Sequence, residues 1–316
     1  MSAAASIGFD VGGQSVKAVL VSATGEVLAQ GTHATGEGTD AGALGDALAA
    51  LRETLAAQAG AAAPSAAGIG IAGVLDRGGA LRGSPHLPLL VGEKIGEKLS
   101  ARLGVAVAVH NDADCAAVGE GWGGAADGED DYLMIAIGTG MGSGLVLGGR
   151  LRAGASGYGC ELGHMMVVHR GRRCGCGNLG CLEAYVSETA ARGLVGEAGR
   201  ALQARVASHR EREGGGFAEA VFRLGAAGDA EAEAVAGLMV DVLGSAIGSV
   251  VNVLDLTTIV LGGGIAPGVL ARLGRLKEAA AGTLFARPVA DLDVRAASRG
   301  PLAGAIGAAR LGMLAR

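Results

Sequence analysis

The sequence predicts an α/β protein with mixed β-sheets and flanking helices. Short runs of Val, Ile and Ala alternate with stretches in which leucine recurs every three or four residues, which is the pattern of strands followed by amphipathic helices. The 316 residues include 59 glycines but only 3% aromatic residues. Because the glycines are scattered among apolar residues, they favour a compact fold with many tight turns over a disordered chain.

The first half of the chain is predicted to begin with an antiparallel meander. Its strands are expected at 6–12, 16–22 and 27–32, separated by the turn pairs Gly12-Gly13 and Thr24-Gly25. The apolar spacing then predicts a helix at 44–55, a buried strand at 67–73, a helix at 95–103 and a strand at 105–109. A further helix is expected to run to Glu120, with Asp112 as its N-cap.

The second half begins with the same pattern. Strands at 132–137 and 144–147 enclose the turn Gly138-Thr139-Gly140, so Ile137–Gly144 forms a weak internal repeat of Asp10–Lys17. The charged segment 205–216 is predicted to be an exposed loop or a frayed helix end. The remaining elements are expected to be a helix at 230–253, a buried strand at 258–261 and a last helix that starts near Pro301.

Charge and composition argue against several classes of protein. The net charge is -5 with scattered basic residues, so no nucleic-acid partner is expected. The N-terminal residues lack the basic and apolar regions of an export signal, and no apolar run is long enough to predict a membrane span, so a cytoplasmic protein is expected. In such a chain five cysteines indicate metal binding more than disulfides. Two of them, Cys115 and Cys160, stand apart and are expected to be small core residues.

The other three cysteines and one histidine form the most informative motif. Cys174, Cys176 and Cys181 lie within C-G-C-G-N-L-G-C, and His164 precedes them in E-L-G-H. A Cys3His set suits tetrahedral zinc, and four protein ligands leave no open position, so the predicted zinc is structural. The alternative is a group of buried cysteines beside an unrelated histidine.

Two carboxylates flank this motif, Glu161 before His164 and Glu183 after Cys181. A bound metal would hold both carboxylates and the imidazole in fixed positions, which is the arrangement needed to bind a polyhydroxylated ligand. The alternative is that Glu161 and Glu183 are solvated surface charges.

Three glycine-rich turns are candidate phosphate or nucleotide contacts: Asp10-Val11-Gly12-Gly13, Gly138-Thr139-Gly140 and Gly262-Gly263-Gly264. Glycines let backbone N–H groups approach an anion closely, and Asp10 could hold Mg²⁺ or its water shell. The alternative for each is a plain turn between two elements. Asn111-Asp112 follows a buried strand, where Asp112 is either a helix cap or a general base. The segment Ser84–Pro88 is either a ligand-binding rigid loop or an ordinary surface loop.

Together these motifs resemble those of the ROK family of sugar kinases and regulators, which belongs to the actin-like ATPase superfamily with its ribonuclease H-like fold. The first phosphate motif is similar to D-V-G-G-Q-S-V-K, the catalytic motif to N-D-A-D, and the second phosphate motif to I-G-T-G-M-G-S-G. The zinc and sugar signature is similar to G-C-E-L-G-H with C-G-C-G-N-L-G-C-L-E, and the adenosine segment to N-V-L-D-L-T-T-I-V-L-G-G-G. The resemblance covers nearly the whole chain. It implies two lobes with a cleft between them, residues 1–113 with 301–316 and residues 114–300.

The resemblance also implies an ATP-dependent kinase for the 6-hydroxyl of a hexose, with glucose as the first expectation and Asp112 as the base. The residues implied to bind the sugar are Asn111, Asp112, Glu161, His164, Glu183, His86 and Gly73. The residues implied to bind Mg²⁺ and ATP are Asp10, Gly12, Gly13, Gln14, Lys17, Thr139, Gly140, Gly263 and Gly264. The implied zinc ligands are His164, Cys174, Cys176 and Cys181, with His164 also facing the sugar.

Three positions depart from the family pattern, and several alternatives stay open. Gln14 stands where Thr is usual, His86 stands in the place of Asn in the usual P-N-L-P loop, and Leu89-Leu90-Val91 replaces an aromatic. Kinases for N-acetylglucosamine, N-acetylmannosamine or fructose are alternatives, as is a member that binds sugar without turnover. A sugar-sensing regulator is disfavoured because only nine residues precede Asp10, too few for a helix-turn-helix domain. The resemblance suggests a homodimer or homotetramer.

Overall fold

A computed structural model of the chain describes residues 6–36, 38–60, 63–84 and 86–315. The first five residues, part of the segment that was searched for an export signal, lie outside the described residues. So does Pro85 of the predicted rigid loop.

The described residues form twelve β-strands and ten α-helices. The strands are β1 (Ser6–Val11), β2 (Ser15–Val21), β3 (Val27–Ala34), β4 (Ala66–Ile71), β5 (Val74–Leu75), β6 (Leu81–Gly83), β7 (Val107–Asn111), β8 (Tyr132–Ile137), β9 (Met141–Leu147), β10 (Arg150–Leu151), β11 (Thr258–Gly262) and β12 (Asp293–Ala296). The helices are α1 (Ala41–Gln58), α2 (Ile95–Leu103), α3 (Asp112–Glu120), α4 (Glu188–Ala198), α5 (Arg200–Glu213), α6 (Phe217–Ala226), α7 (Ala230–Leu254), α8 (Ala266–Leu270), α9 (Leu273–Ala281) and α10 (Ala303–Leu314). Short 3-10 turns lie at Pro88–Leu90, Leu162–His164, Leu182–Ala184, Val289–Asp291 and Gly300–Leu302.

The chain folds as two compact units. Unit 1 comprises Met1–Met134, Gly144–Cys160 and Ala297–Arg316, and unit 2 comprises Ile135–Ser143 and Glu161–Ala296. These ranges divide the chain at other positions than the two lobes expected from the sequence, which remain a prediction.

Unit 1 contains a five-stranded sheet with the order β3-β2-β1-β4-β7. β1, β2 and β3 pair antiparallel in succession, which confirms the predicted meander, and β4 and β7 extend the sheet parallel to β1. One face of the sheet is covered by α1 and α2, whose side chains Leu44, Leu48, Leu55, Ile95 and Leu99 are buried in one core with the strands. The parallel strands β1, β4 and β7 therefore end at the same edge, where ligand-binding residues are commonly found in open α/β sheets.

Helix α10 lies directly on the other face of this sheet. A Cβ built on Gly8 would lie 1.8 Å from the carbonyl oxygen of Ala305, and one built on Gly68 would lie 1.8 Å from that of Ala308. On its far side α10 meets α3, where a Cβ on Gly307 would lie 1.7 Å from the carbonyl oxygen of Cys115. Glycines thus permit backbone contact between α10, the sheet and α3, and a larger side chain would push these elements apart.

The second sheet has the order β10-β9-β8-β11-β12, and β11 and β12 are parallel. In unit 2, α7 packs against α6 and α9, and a Cβ on its Gly244 would lie 2.4 Å from the carbonyl oxygen of Leu276 in α9. By length and composition α7 could cross a membrane, but 67% of its most apolar window is buried inside the protein. Helix α7 is hydrophobic because most of its apolar residues are buried in the core of unit 2.

Most predicted elements are present, and one prediction is wrong. The segment 205–216 was expected to be a loop or a frayed end, but α5 continues through it to Glu213. Arg205 is held in the helix by ion pairs to Asp229 and Glu231. The prediction failed because this helix buries only Leu202 and Val206, so its sequence lacks the apolar repeat by which an amphipathic helix is found.

Candidate functional site

The first glycine turn joins β1 to β2. The Gly12 N–H donates to the Ser15 carbonyl at 3.0 Å, and the Thr35 hydroxyl donates to the Gly12 carbonyl at 3.0 Å. Among the residues that the structure describes, the N–H groups of Gly13 and Gln14 have no acceptor. Two unbonded N–H groups in one turn are a backbone arrangement suited to phosphate oxygens.

Asp10 lies on β1 just before this turn. Its register partner on β2 is Lys17, and the Lys17 ammonium lies 3.6 Å from the Asp10 carboxylate. Burial raises the pKa of Asp10, and the charge of Lys17 and its hydrogen bond offset part of that rise. A Cβ on Gly304 of α10 would lie 3.1 Å from the Asp10 carboxyl carbon. Asp10 is thus a confined carboxylate beside the predicted phosphate turn, and carboxylates are the residue type that holds Mg²⁺ or its water shell.

Asn111 and Asp112 lie where β7 ends and α3 begins. Asn111 accepts hydrogen bonds from the N–H groups of Ala113 at 2.8 Å and Asp114 at 3.2 Å, and its Nδ2 donates to the Gly73 carbonyl at 3.0 Å. Asn111 is therefore the N-cap, and the prediction that Asp112 caps the helix is wrong. Asp112 is the first residue of α3, its Oδ1 accepts from the Ala113 N–H at 3.0 Å, and the helix N-terminus favours its negative charge.

Asp10 and Asp112 lie at the same end of the sheet in unit 1. Asp10 pairs with Gly70 on the parallel strand β4. A Cβ on Gly70 would lie 3.5 Å from the Asp112 Cα and 3.1 Å from the Cys115 sulfur. Burial raises the pKa of Cys115 well above its ordinary value, and nearby carboxylates add to the rise. Cys115 is thus the inert core residue that was predicted, and the predicted phosphate and catalytic segments adjoin.

His86 lies on the loop between β6 and the 3-10 turn at Pro88–Leu90. The Ser84 hydroxyl donates to the Ala72 carbonyl at 2.6 Å and accepts from the Leu87 N–H at 3.1 Å. The His86 side chain is exposed, and a Cβ on Gly13 would lie 2.6 Å from the Cβ of His86. The predicted sugar loop therefore contacts the first phosphate turn.

The second glycine turn joins β8 to β9 and is hydrogen-bonded to the start of α4. The Gly138 N–H donates to the Gly140 carbonyl at 2.9 Å, and the Glu188 N–H donates to the Gly138 carbonyl at 2.9 Å. The Thr189 hydroxyl donates to the Thr139 carbonyl at 3.0 Å. These bonds hold the predicted second phosphate turn next to a helix N-terminus, where anions are favoured.

The third glycine segment packs on this turn. Gly263 has a φ of +84°, and a Cβ on it would lie 2.3 Å from the Ile137 carbonyl oxygen. The Ile265 N–H donates to that same oxygen at 3.2 Å. Around Gly264, no described atom outside the glycine and its two chain neighbours lies within 4 Å of the Cβ position. The segment predicted to contact adenosine therefore adjoins the second phosphate turn in unit 2.

His164, Cys174, Cys176 and Cys181 converge, as predicted. Their ligand atoms all lie within 4.8 Å of one another. The Cys174 sulfur is 3.7 Å from the His164 Nδ1, and the Cys176 sulfur is 3.8 Å from that of Cys181. Zinc–sulfur bonds of about 2.3 Å in a tetrahedron would separate the sulfurs by about 3.8 Å. The donor set and its spacing therefore fit a tetrahedral metal ion.

Backbone contacts shape the segment that carries this cluster. Met166 and Cys181 form an isolated antiparallel β-bridge, and so do Arg173 and Leu179. Gly180 has a φ of +79°, and a Cβ on it would lie 1.8 Å from the Val168 carbonyl oxygen. The glycines that the sequence places between the cysteines thus permit a tight fold that brings the sulfurs together.

Glu183 connects the cluster to the second phosphate turn. Its Oε1 lies 3.5 Å from the Cys174 sulfur, and its Oε2 accepts from the Met141 N–H at 2.9 Å. A Cβ on Gly140 would lie 2.5 Å from that same Oε2. Glu161 is exposed at the start of the 3-10 turn that carries His164, whose N–H donates to the Glu161 carbonyl at 3.0 Å. Both carboxylates therefore belong to the segments that the cluster organises.

Glu188 is an organising residue that the sequence analysis missed. Its carboxylate accepts hydrogen bonds from the N–H groups of Phe217 at 2.6 Å and Ala218 at 2.9 Å. It thereby caps α6 while its own N–H holds Gly138. No local signal could have revealed this role, because the capped N–H groups lie 29 and 30 positions away in the chain.

Each unit gathers its own set of predicted site residues. Unit 1 contains Asp10, Gly12, Gly13, Gln14, Lys17, Gly73, His86, Asn111 and Asp112. Unit 2 contains Thr139, Gly140, Glu161, His164, Cys174, Cys176, Cys181, Glu183, Gly263 and Gly264.

Comparisons of the whole chain with known proteins find a family model, sequence relatives and solved structures that match it. The family model for the ROK family matches residues 6–313. The glucokinase of Thermotoga maritima is 31% identical, with 96% of each chain covered, and the N-acetyl-D-glucosamine kinase of Pasteurella multocida is 30% identical, with 73% of each covered. A ROK family glucokinase from Streptomyces griseus, solved with glucose and AMPPNP, matches with a TM-score of 0.80 and 30% identity over 98% of this chain and 99% of that one. The predicted actin-like ATPase fold is confirmed.

Proposed function

Because the chain belongs to the ROK family, we propose that it is an ATP-dependent kinase for the 6-hydroxyl of a hexose, with glucose preferred. The observation that carries the proposal is the adjacency of two carboxylates at one end of the sheet in unit 1. Asp10 lies beside the first phosphate turn, and Asp112 follows the neighbouring strand end. Phosphoryl transfer needs such a pair, one carboxylate for the metal-bound phosphates and one for the attacking hydroxyl.

Asp112 acts as the base that takes the proton from the 6-hydroxyl. Asn111 positions it, since the Asn111 side chain caps α3 and is tied to the Gly73 carbonyl. The Asp112 Oδ1 also accepts from the Ala113 N–H, and a carboxylate oriented before the sugar arrives lowers the entropic cost of reaching the reactive geometry. Removal of a positioned general base typically slows turnover by about 10²- to 10⁴-fold.

Each unit has its own proposed nucleotide contacts. In unit 1 the phosphates are contacted by Gly12, Gly13, Gln14 and Lys17. In unit 2 the phosphate contacts are Thr139 and Gly140, and the adenosine contacts are Gly263 and Gly264. Mg²⁺, held by Asp10 through its water shell, would neutralise charge on the phosphates. Support for this assignment comes from the unbonded N–H groups of Gly13 and Gln14 and from the open space at Gly264.

In unit 2 the proposed sugar-binding residues are Glu161, His164 and Glu183. In unit 1 they are Asn111 and Asp112. His164 and the three cysteines would hold a structural Zn²⁺. The Nδ1 of His164 faces the Cys174 sulfur, so its Nε2 would remain for a sugar hydroxyl. Zinc would supply rigidity to this segment and no chemistry to the reaction. Glu183 is oriented by the protein itself, since its carboxylate accepts a hydrogen bond from the Met141 N–H.

An assay with ATP and a panel of glucose, mannose, N-acetylglucosamine, N-acetylmannosamine and fructose tests the proposal. Glucose is expected to have the highest kcat/KM. Asp112→Asn is expected to retain glucose binding and to lose turnover by at least about 100-fold, whereas Asp46→Asn, at an exposed carboxylate of α1, serves as the matched control. Near-normal turnover of Asp112→Asn would refute the role of the base.

A second candidate substrate is an N-acetylated hexosamine. The 30% identity to the Pasteurella multocida N-acetyl-D-glucosamine kinase favours it as the alternative. A higher kcat/KM for N-acetylglucosamine or N-acetylmannosamine than for glucose would select it. We also propose that the enzyme is cytoplasmic, as expected in the sequence analysis, and that it works as a homodimer or homotetramer, as the family resemblance suggests. Light scattering on the purified protein would measure the oligomeric state.

A further inference from the structure

The imidazole of His86 lies against the first phosphate turn, and we propose that it donates a hydrogen bond to the terminal phosphate of the nucleotide. This inference rests on the proposed kinase activity. It changes the role of His86 from a sugar contact, as expected from the sequence, to a phosphate contact. The argument concerns residues of unit 1 alone.

The contact with His86 explains why residue 13 is glycine. Neither Gly12 nor Gly13 has a positive φ, so the turn conformation does not require glycine at either position. A Cβ on Gly12 would lie 3.5 Å from the Ser15 carbonyl oxygen, an ordinary contact. A Cβ on Gly13 would lie 2.6 Å from the Cβ, 3.1 Å from the Cγ and 3.5 Å from the Nδ1 of His86. The absent side chain of Gly13 thus makes room for the imidazole.

Described residues on either side of His86 are anchored to the rest of unit 1. Before it, the Ser84 hydroxyl bonds to the Ala72 carbonyl and to the Leu87 N–H. After it, the Leu87 side chain is 1% exposed and belongs to the main core of unit 1. Ser84 and Leu87 therefore hold the loop so that the Cβ of His86 lies beside Gly13.

His86 completes a set of donors at this turn. The Gly13 and Gln14 N–H groups have no acceptor among the described residues, and the nearby Lys17 ammonium is paired with Asp10. An imidazole beside two unbonded N–H groups forms a three-donor site for an anionic oxygen. Hydrogen bonds to a phosphate are charge-assisted and stronger than those between neutral groups.

The other side of the same loop explains why the terminal phosphate is the one contacted. A Cβ on Gly73 would lie 3.1 Å from the Cβ of Ser84, and the Gly73 carbonyl accepts from Asn111. The loop thus connects the phosphate turn to the segment that carries Asp112. In an in-line transfer the phosphoryl group passes between the nucleotide and the attacked hydroxyl. A donor located between those two segments meets the group that is transferred.

The test compares the binding of AMPPNP, ADP and glucose, each with Mg²⁺, by calorimetry. His86→Ala is expected to weaken AMPPNP binding about 10-fold, the loss of one charge-assisted hydrogen bond, and to change ADP and glucose binding less than about twofold. His86→Gln, which keeps an N–H donor, is expected to recover part of the AMPPNP affinity. His33→Ala removes an exposed imidazole from β3 and is expected to leave all three affinities unchanged.

Any other pattern overturns the inference. Weaker glucose binding with unchanged AMPPNP binding would return His86 to the sugar. An equal loss for all three ligands, or no loss, would also contradict a contact with the terminal phosphate. These outcomes are distinct from failure of the proposed function, which is seen in the wild-type protein as the absence of ATP-dependent phosphorylation of every hexose tested.

Discussion

Substitution of Glu120 by Gln tests how α3 is held to the C-terminal segment. Glu120 is the last residue of α3 and is fully buried. Its carboxylate accepts from the N–H groups of Ala125 at 2.8 Å, Ser298 at 3.0 Å and Arg299 at 2.8 Å, and from the Ser298 hydroxyl at 3.2 Å. These bonds join the helix that carries Asp112 to the segment before α10.

The expected cost follows from which bonds an amide can keep. One oxygen of Gln still accepts, but the NH2 group then faces either the Ala125 or the Arg299 N–H, and a buried donor that loses its acceptor costs about 1–3 kcal/mol. The bonds that remain are weaker because their acceptor is no longer charged. This costs about 1 kcal/mol for each of two bonds. Part of this loss of stability is offset, because the neutral amide avoids the cost of burying a charge. The free energy of unfolding is therefore expected to fall by about 2–4 kcal/mol.

Urea denaturation followed by the fluorescence of Trp122 measures this change. Trp122 is the single tryptophan of the chain and lies two residues after Glu120, so it reports on this region. A Cβ on Gly25 would lie 2.8 Å from its ring, and the Arg310 guanidinium lies 5.1 Å from the ring centre. The control is Glu211→Gln, at an exposed position of α5. A loss below about 0.5 kcal/mol for Glu120→Gln, as for a surface change, would refute the reasoning.

Two further predictions concern the metal cluster and the adenosine segment. Cys176→Ser is expected to lose zinc measured by mass spectrometry and to weaken glucose binding by about 10-fold or more, and wild-type protein purified without zinc would contradict the assignment. Gly263→Ala would require a left-handed conformation that costs about 1–2 kcal/mol, and its Cβ would lie 2.3 Å from the Ile137 carbonyl oxygen. Gly263→Ala is expected to weaken AMPPNP binding more than glucose binding. The control is Gly274→Ala, whose Cβ would have no described atom within 4 Å apart from its chain neighbours and its own helix backbone. Equal AMPPNP affinity in both variants would exclude this role of Gly263.

Several features could be predicted because they depend on short stretches of chain. The alternation of apolar residues predicted the antiparallel meander, and leucine spacing predicted α1. The four residues of the metal cluster were found because three of them lie within eight positions. The identity of the α3 cap was missed, since Asn111 and Asp112 are equally good caps by residue type. The choice of Asn111 is consistent with its added bond to the Gly73 carbonyl, which lies 38 positions away.

The sequence by itself determined the fold class, the strand and helix pattern and the four residues of the His164–cysteine cluster, because hydrophobic periodicity and ligand spacing are local properties of the chain. Only the tertiary structure decided that Glu183 bonds to the second phosphate turn, that Glu188 caps α6 and that His86 packs on Gly13. Those contacts join residues 29 to 73 positions apart, as the spacing of Glu188 from Phe217 and of Gly13 from His86 shows. Their partners are chosen by how sheets and helices pack, and no pattern within one segment encodes that choice.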